Sequence, residues 1–298
     1  MEPQRPRTII GIALMLGAMA VLPFLDVVAK TLGNQGMPIL QIVWARMAFG
    51  ALLTLPFTLR HGGAAAIRPD RPAYHTLRAA LLIAATFLFF SALKYLPIAD
   101  ALAIFFVQPL ILTAISPFLL GERVGPRRWA AVAVGFIGTL IIIRPGAEVF
   151  TLAALLPLAN AVAYAGNALL TRHIGMKEPF WTSLMYGALF GAVVGGIALP
   201  FVWVTPTLPD LGLFFLVGCL GTAAQLCIIR SFSTTEASVV APFTYLGILF
   251  STLWSVLFFN DWPDGWTIVG ALVIVGAGLY VWHRETLHAR QSQTRSDD

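Results

Sequence analysis

Two ionisable side chains, Asp26 and Arg46, stand well inside long apolar runs at 8–31 and 37–59. A charge in hydrocarbon is costly enough to mark a site or a pathway by default. Counted along the helical rise, Asp26 lies roughly 8 Å and Arg46 roughly 12 Å from the same end of their segments, so the two can meet. A guanidinium there suits a carboxylate or other anionic group of a ligand. A carboxylate beside it suits a cationic group or the uptake of a coupled proton. The structural alternative is that Asp26 pairs with Lys30 one turn away while Arg46 snorkels or bonds backbone carbonyls.

Uncharged polar and aromatic residues gather on a few other runs. Gln108 adjoins Pro109, and Asn160, Tyr164 and Asn167 follow at four- and three-residue spacing, one face of a helix. Thr222 and Gln225 share one run, and Thr244 and Tyr245 follow Pro242. An unpaired amide in an apolar medium costs several kcal/mol. These side chains therefore either bond one another between helices or line an aqueous cavity. Trp44, Trp254, Phe105 and Phe106 offer stacking surface for a flat ring. The candidate substrate-binding set is Asp26, Arg46, Gln108, Tyr164, Asn167, Gln225, Tyr245 and Trp44. Paired carboxylates, His-rich clusters, Walker motifs and glycine-rich nucleotide loops are missing from the sequence, so no enzyme activity, cofactor or metal is expected.

These groups must be held by membrane-spanning helices. Of the 298 residues 58% are hydrophobic and 11% charged, far from the roughly 25% charged residues of a soluble domain. Ten apolar segments are each about long enough to cross the bilayer: 8–31, 37–59, 74–95, 98–121, 127–144, 149–172, 180–203, 210–231, 236–259 and 265–283. The first is read as a span rather than a signal peptide, because its apolar run passes the small residues at 17–20 and continues to Leu25. Cys219 and Cys227 are about 12 Å apart at the helical rise, too far for a disulfide. Placing the N-terminus in the cytoplasm puts fifteen Lys and Arg in or beside inner loops and only Lys30, Lys94 and Arg144 outside. The net charge of +5 is explained by that placement and implies no nucleic-acid partner.

A repeat runs through the chain. Lys94, Asp100 and Ala101 recur as Arg230, Glu236 and Ala237 at a shift of 136, and Trp129 recurs as Trp266 at a shift of 137. Five segments per copy is an odd number, so the second copy enters the membrane upside down. The turn after segment 4, Gly121–Arg128, carries positive charge, whereas the turn after segment 9 carries Asp261 and Asp264. The expected fold is therefore an all-α integral membrane protein of ten transmembrane helices. It consists of two inverted five-helix repeats, 8–144 and 149–284, and a polar tail, 285–298, with both termini cytoplasmic. Inverted repeats place a substrate between the halves, and interrupted helices at matching positions point to it. Pro23, Pro109 with Pro117, Pro157 and Pro242 mark segments 1, 4, 6 and 9. Gly187, Gly191 and Gly195 form a small-residue stripe that serves either packing within the bundle or a homodimer contact.

The run Ala92–Ala101, Gly121–Arg123 with Trp129, and Gly135 and Gly138 resemble the EamA-type drug/metabolite transporter superfamily, as do Lys30 and Arg46 at their places. Asp26–Lys30 together with Gln41–Arg46 is similar to the subgroup that includes S-adenosylmethionine and riboflavin importers. The resemblance implies a ten-helix carrier of the cell inner membrane. Such a carrier works by alternating access on a small polar or zwitterionic metabolite, with a coupled proton or an exchanged metabolite. The superfamily also holds amino-acid and drug exporters on the same frame. Phe259 and Asn260 stand where the second copy commonly carries Gly-Glu, a departure that removes symmetric support for a role of Glu122. A channel-like pore is the competing class; saturable counterflow separates a carrier from it.

Overall fold

A computed structural model describes residues 4–62, 71–120, 125–144, 151–174, 180–234 and 240–294. Lipid offers the backbone no hydrogen bonds, so an apolar chain of this kind must satisfy its amides internally. The described residues accordingly form helices without strands. In chain order these are α1 (Gln4–Asn34), α2 (Ile39–Gly62), α3 (Pro72–Leu93), α4 (Ile98–Phe105), α5 (Gln108–Leu120) and α6 (Pro126–Ile143). They continue as α7 (Leu155–Ile174), α8 (Phe180–Ala198), α9 (Leu208–Thr234), α10 (Gly247–Phe259) and α11 (Gly265–Thr294). Among the described residues seven helical spans are long and apolar enough to cross a membrane, and three shorter apolar helices cover 129–143, 243–259 and 265–280. Each falls on one of the apolar segments read from the sequence. Glu122, Arg123, Glu236 and Ala237, which carry part of the repeat and charge argument, lie outside the described residues.

Prolines break the path at two places. Helix α4 ends at Phe105, four residues before Pro109, whose ring has no N–H for that carbonyl and crowds it. The chain turns at Phe106 and Val107 and restarts as α5. Around Pro242 the residues Ala241–Leu246 wind as a 3₁₀ helix before α10 begins. The other prolines act differently from expectation. Pro23 sits inside an uninterrupted α1, and Pro157 lies in the first turn of α7, where a missing N–H is tolerated. Near Pro23, the Trp254 indole donates to the Ala20 carbonyl at 3.0 Å and its ring packs 5.3 Å from Phe24.

Helix α1 packs on α9 as α7 packs on α3, and α2 packs on α9 as α8 packs on α3. Helix α2 also meets α8, and α6 meets α11. Two glycines of the α8 stripe pack within the bundle, Gly191 receiving Met47 and Gly195 receiving Trp44, while the third, Gly187, faces the cavity described below. The α6–α11 crossing is closer still. A Cβ on Gly270 would stand 2.6 Å from the Gly138 carbonyl oxygen, and one on Gly138 would stand 3.0 Å from the Gly270 carbonyl oxygen.

One end of the bundle is tied by polar contacts between sequence-distant elements. Lys30 Nζ donates to Asp261 Oδ2 at 3.0 Å and to the Leu96 carbonyl at 3.1 Å, and it lies 4.8 Å from the Phe259 ring centroid. Lys30 thus binds α1, the α3–α4 turn and the α10–α11 turn, and it is not the partner of Asp26. Arg144, the left-handed C-cap of α6, pairs with Asp264 at the start of α11. Gln41 exchanges two hydrogen bonds with the Val204 backbone, at 2.8 and 3.1 Å. Burial pushes the Asp264 carboxyl up, but hydrogen bonds from Thr267 and the Arg144 guanidinium outweigh it and hold the group below the ordinary carboxylate range. A depressed carboxylate stabilises the fold above its unfolded pKa and loses that contribution as pH falls through the folded value. The Arg144–Asp264 tie is therefore intact at neutral pH and weakens in acid.

The close crossing yields a stability prediction. Gly270→Val should cost about 1–3 kcal/mol through overpacking and lower the melting temperature of the purified protein. Gly276→Val, at a glycine where an added Cβ would meet nothing within 4 Å, should change it little. Equal melting temperatures for the two variants would contradict the close crossing.

Candidate functional site

Seven helices enclose a cavity of about 970 Å³, at the upper end of the usual size for a small-molecule site. Helix α1 contributes Leu22 and Asp26, and α2 contributes Arg46, Met47, Gly50 and Thr54. On α3 the lining residues Arg78, Leu82, Ala85 and Phe89 recur at helical spacing, with Thr86 and Phe90 beside them. Asn160, Tyr164, Asn167 and Thr171 form the α7 wall. Gly221, Thr222 and Gln225 form much of the α9 wall. Leu102 and Phe105 of α4 close the cavity toward the tied end, and Leu184, Gly187 and Ala188 of α8 lie toward the other. From Phe90 to Arg78 is twelve residues of α3, roughly 18 Å of depth at the helical rise.

Near the closed end lie the two charges. Asp26 is 7% exposed, and among the described residues its carboxylate accepts no hydrogen bond; Arg46 acts on it through its field. Arg46 Nη1 donates to Thr86 Oγ1 at 3.3 Å, and the guanidinium lies 5.8 Å from the Phe90 ring centroid. Thr86 donates its own proton to the Leu82 carbonyl at 2.9 Å, which leaves its oxygen free to accept from Arg46. Gly221 gives the arginine room: a Cβ there would stand 3.1 Å from Arg46 Nε. A guanidinium has five donor hydrogens, so one neutral acceptor leaves most of its capacity for a ligand. Tyr164 is in electrostatic range of Arg46, and its ring meets Phe105 edge-on at 5.5 Å. Phe105 in turn meets Phe89 at 6.1 Å. The result is a carboxylate and a guanidinium beside an aromatic wall, an arrangement suited to a zwitterionic or amphipathic small molecule.

Five of the eight sequence candidates, Asp26, Arg46, Tyr164, Asn167 and Gln225, line this cavity. Three stand elsewhere. The Trp44 indole donates to the Ala192 carbonyl at 3.1 Å, fastening α2 to α8. Tyr245 packs 5.4 Å from Phe106, and its hydroxyl occupies the space left by Gly278 of α11. Gln108 opens α5, which packs on α6 and α7 rather than around the cavity. Trp254, offered as a stacking surface, is engaged with α1. Of the proline-marked segments, 1, 4 and 6 contribute lining residues and 9 does not; segments 2, 3, 7 and 8 contribute in addition. Sequence reading misses Thr54, Thr86 and Arg78. Arg78 reads as one of the inner-loop cations, although its spacing to Leu82, Ala85 and Phe89 places it on one helical face. Among the described residues no group of three or more His, Cys, Asp or Glu is placed to hold a metal ion.

Comparison with known proteins agrees with this architecture. A riboflavin transporter of Rhizobium johnstonii is 32% identical over 97% of this chain and 96% of its own length. An S-adenosylmethionine uptake transporter of Rickettsia bellii is 31% identical over 87% of this chain and 89% of its own. The pseudopaline exporter CntI of Pseudomonas aeruginosa is 30% identical over 81% and 85%. A crystal structure 22% identical in sequence superposes with a TM-score of 0.63, covering 94% of this chain and 98% of the other, and shares the fold. The profile of the EamA-like transporter family matches residues 9–144 and again 151–282. The chain therefore belongs to the EamA-like transporter family of the drug/metabolite transporter superfamily and is a multi-pass membrane transporter.

Proposed function

We propose that the protein is a secondary active carrier of the cell inner membrane that moves a small zwitterionic metabolite by alternating access. The carrying observation is the cavity that presents Asp26 and Arg46 near the tied end of the bundle and extends toward the other end. In this reading the ten apolar segments all cross, the halves 8–144 and 149–284 are inverted copies, and both termini are cytoplasmic. The matched packing of α1 on α9 and α7 on α3, and the breaks near Pro109 and Pro242, support the inverted relation. The tied end holds Lys30, Lys94 and Arg144, whereas the cavity extends toward the helix ends that adjoin most of the Lys and Arg. By the positive-inside rule this is the inward-facing state. Arg46 binds the substrate carboxylate, and Asp26 either faces its cationic group or takes up a coupled proton. Relatives named for S-adenosylmethionine uptake and riboflavin transport favour uptake; a relative named as an exporter supports the opposite direction as the second reading.

Purified protein in proteoliposomes should show saturable, counterflow-capable flux of S-adenosylmethionine or riboflavin. Arg46→Ala should reduce that flux at least tenfold, as loss of a hydrogen bond to a charged group of about 1.5–3 kcal/mol implies. Asp26→Asn should abolish flux or its pH dependence at unchanged expression; full and normally pH-dependent flux in Asp26→Asn would remove that carboxylate from the mechanism. A non-saturable current would indicate a pore.

The tied end must open in the other state. With Cys219 and Cys227 replaced by serine and a cysteine placed at Gln225, Lys30→Met should increase labelling of that cysteine from the tied side. The charge exchange Lys30→Asp with Asp261→Lys should restore the protection. Labelling that is indifferent to both changes would show that Lys30 and Asp261 do not hold the gate.

A further inference from the structure

Below the charged pair the cavity presents two side-chain amides. Asn160, Tyr164, Asn167 and Thr171 recur at i, i+4, i+7 and i+11, one stripe along α7. Thr171 directs its hydroxyl to the Asn167 backbone carbonyl at 2.8 Å. The Asn167 side chain itself is 9% exposed, and its Oδ1 is buried without a hydrogen-bond partner among the described residues. A buried amide oxygen without a partner is costly, and a side-chain rotation that turns the amide into the cavity lets a ligand remove that cost.

The height of these amides follows from their neighbours. Gly221 of α9 lies against Arg46, and Gln225 comes four residues further from the tied end. Tyr164 of α7 is in electrostatic range of Arg46, and Asn167 comes three residues further in the same sense. Gln225 therefore stands about one helical turn, roughly 5 Å, beyond the arginine, and Asn167 stands about the same distance beyond Tyr164. They also come from different flanks: α7 is held by α3, α4 and α5, and α9 by α1 and α2. A ligand whose anionic group reaches Arg46 lays its next portion between them, alongside the Tyr164–Phe105 wall.

A side-chain amide carries an NH₂ donor and a carbonyl acceptor at fixed spacing. Its complement is an edge bearing an adjacent acceptor and donor, the match by which Asn and Gln read a nucleobase edge. Ring faces beside such an edge favour a flat group. We infer that Asn167 and Gln225 are specificity-determining residues that read the edge of a planar nitrogen heterocycle with neighbouring donor and acceptor atoms, carried by the same substrate that binds Arg46. This inference rests on the cavity being the transport site.

The test is calorimetric binding to the full chain in lipid nanodiscs, with riboflavin and S-adenosylmethionine as ring-bearing probes and L-methionine as the ringless zwitterion. Asn167→Leu and Gln225→Leu should each weaken a ring-bearing probe by about 5- to 150-fold, the range of one bidentate edge contact, and leave L-methionine unchanged. Asn167→Ala removes the amide without adding bulk or charge. It should fold as the parent does and still lose the ring-bearing probe. Equal losses for ringed and ringless probes, no loss for the ringed ones, or a parent protein that binds L-methionine and neither ring would overturn the inference. If Arg46→Ala abolishes binding while the amide variants bind normally, this inference falls and the transport site stands. If Arg46→Ala changes nothing either, both fall.

Discussion

Arg46 has to remain charged among apolar helices, and much of the architecture can be traced to that requirement. Its guanidinium needs an acceptor, a counter-charge and space. Thr86, Asp26 and Gly221 meet these needs from three different helices. None of them saturates its five donors. A surrounding cavity is the consequence, because a dry, sealed environment would leave the remaining donors unbonded at a cost comparable to the folding stability itself. The same cavity is lined by Asn167, Gln225 and Tyr164, whose polar groups a fully packed core would have had to pair.

Holding the cavity open requires the surrounding helices to be fastened away from it. The tryptophans do part of this: Trp44 bonds a carbonyl of α8, and Trp254 bonds a carbonyl of α1. The Gly138–Gly270 crossing brings α6 and α11 together at the far side of the bundle. At one end, Lys30, Arg144 and Gln41 link turns that are distant in sequence, and Lys30 is only 11% exposed. Its partner Asp261 is 32% exposed, so the pair is shielded from the Lys30 side and screened from the other. It is also reversible in a way that apolar packing is not.

The helices are legible because an apolar chain in a bilayer has few alternatives, and runs near twenty residues mark them directly. The breaks are legible at Pro109 and Pro242, where the missing N–H falls within a span. They are not at Pro157, where proximity to a helix start makes the same residue harmless. Asp26 and Arg46 stand out by cost alone. Lys30 does not reveal its partner, since Asp261 is 231 residues away and a closer carboxylate, Asp26, lies one turn off. Trp44 and Tyr245 are misplaced for a different reason: their acceptor or seat is a backbone carbonyl or a glycine, neither of which leaves a pattern in the sequence. Arg78 is hidden by its position near a helix end, where a cation reads as part of a loop.

The central claim, that one cavity is exposed alternately to the two sides, is tested most directly by distances between spin labels with and without a transported ligand. One pair would replace Tyr95 and Trp262, exposed residues on the two turns that Lys30 joins. A second pair would replace Leu77 of α3 and Arg230 of α9, toward the opposite end. Saturating S-adenosylmethionine or riboflavin, whichever is transported, should lengthen the first distance and shorten the second. Two distances that move in the same sense, or do not move, would contradict the account.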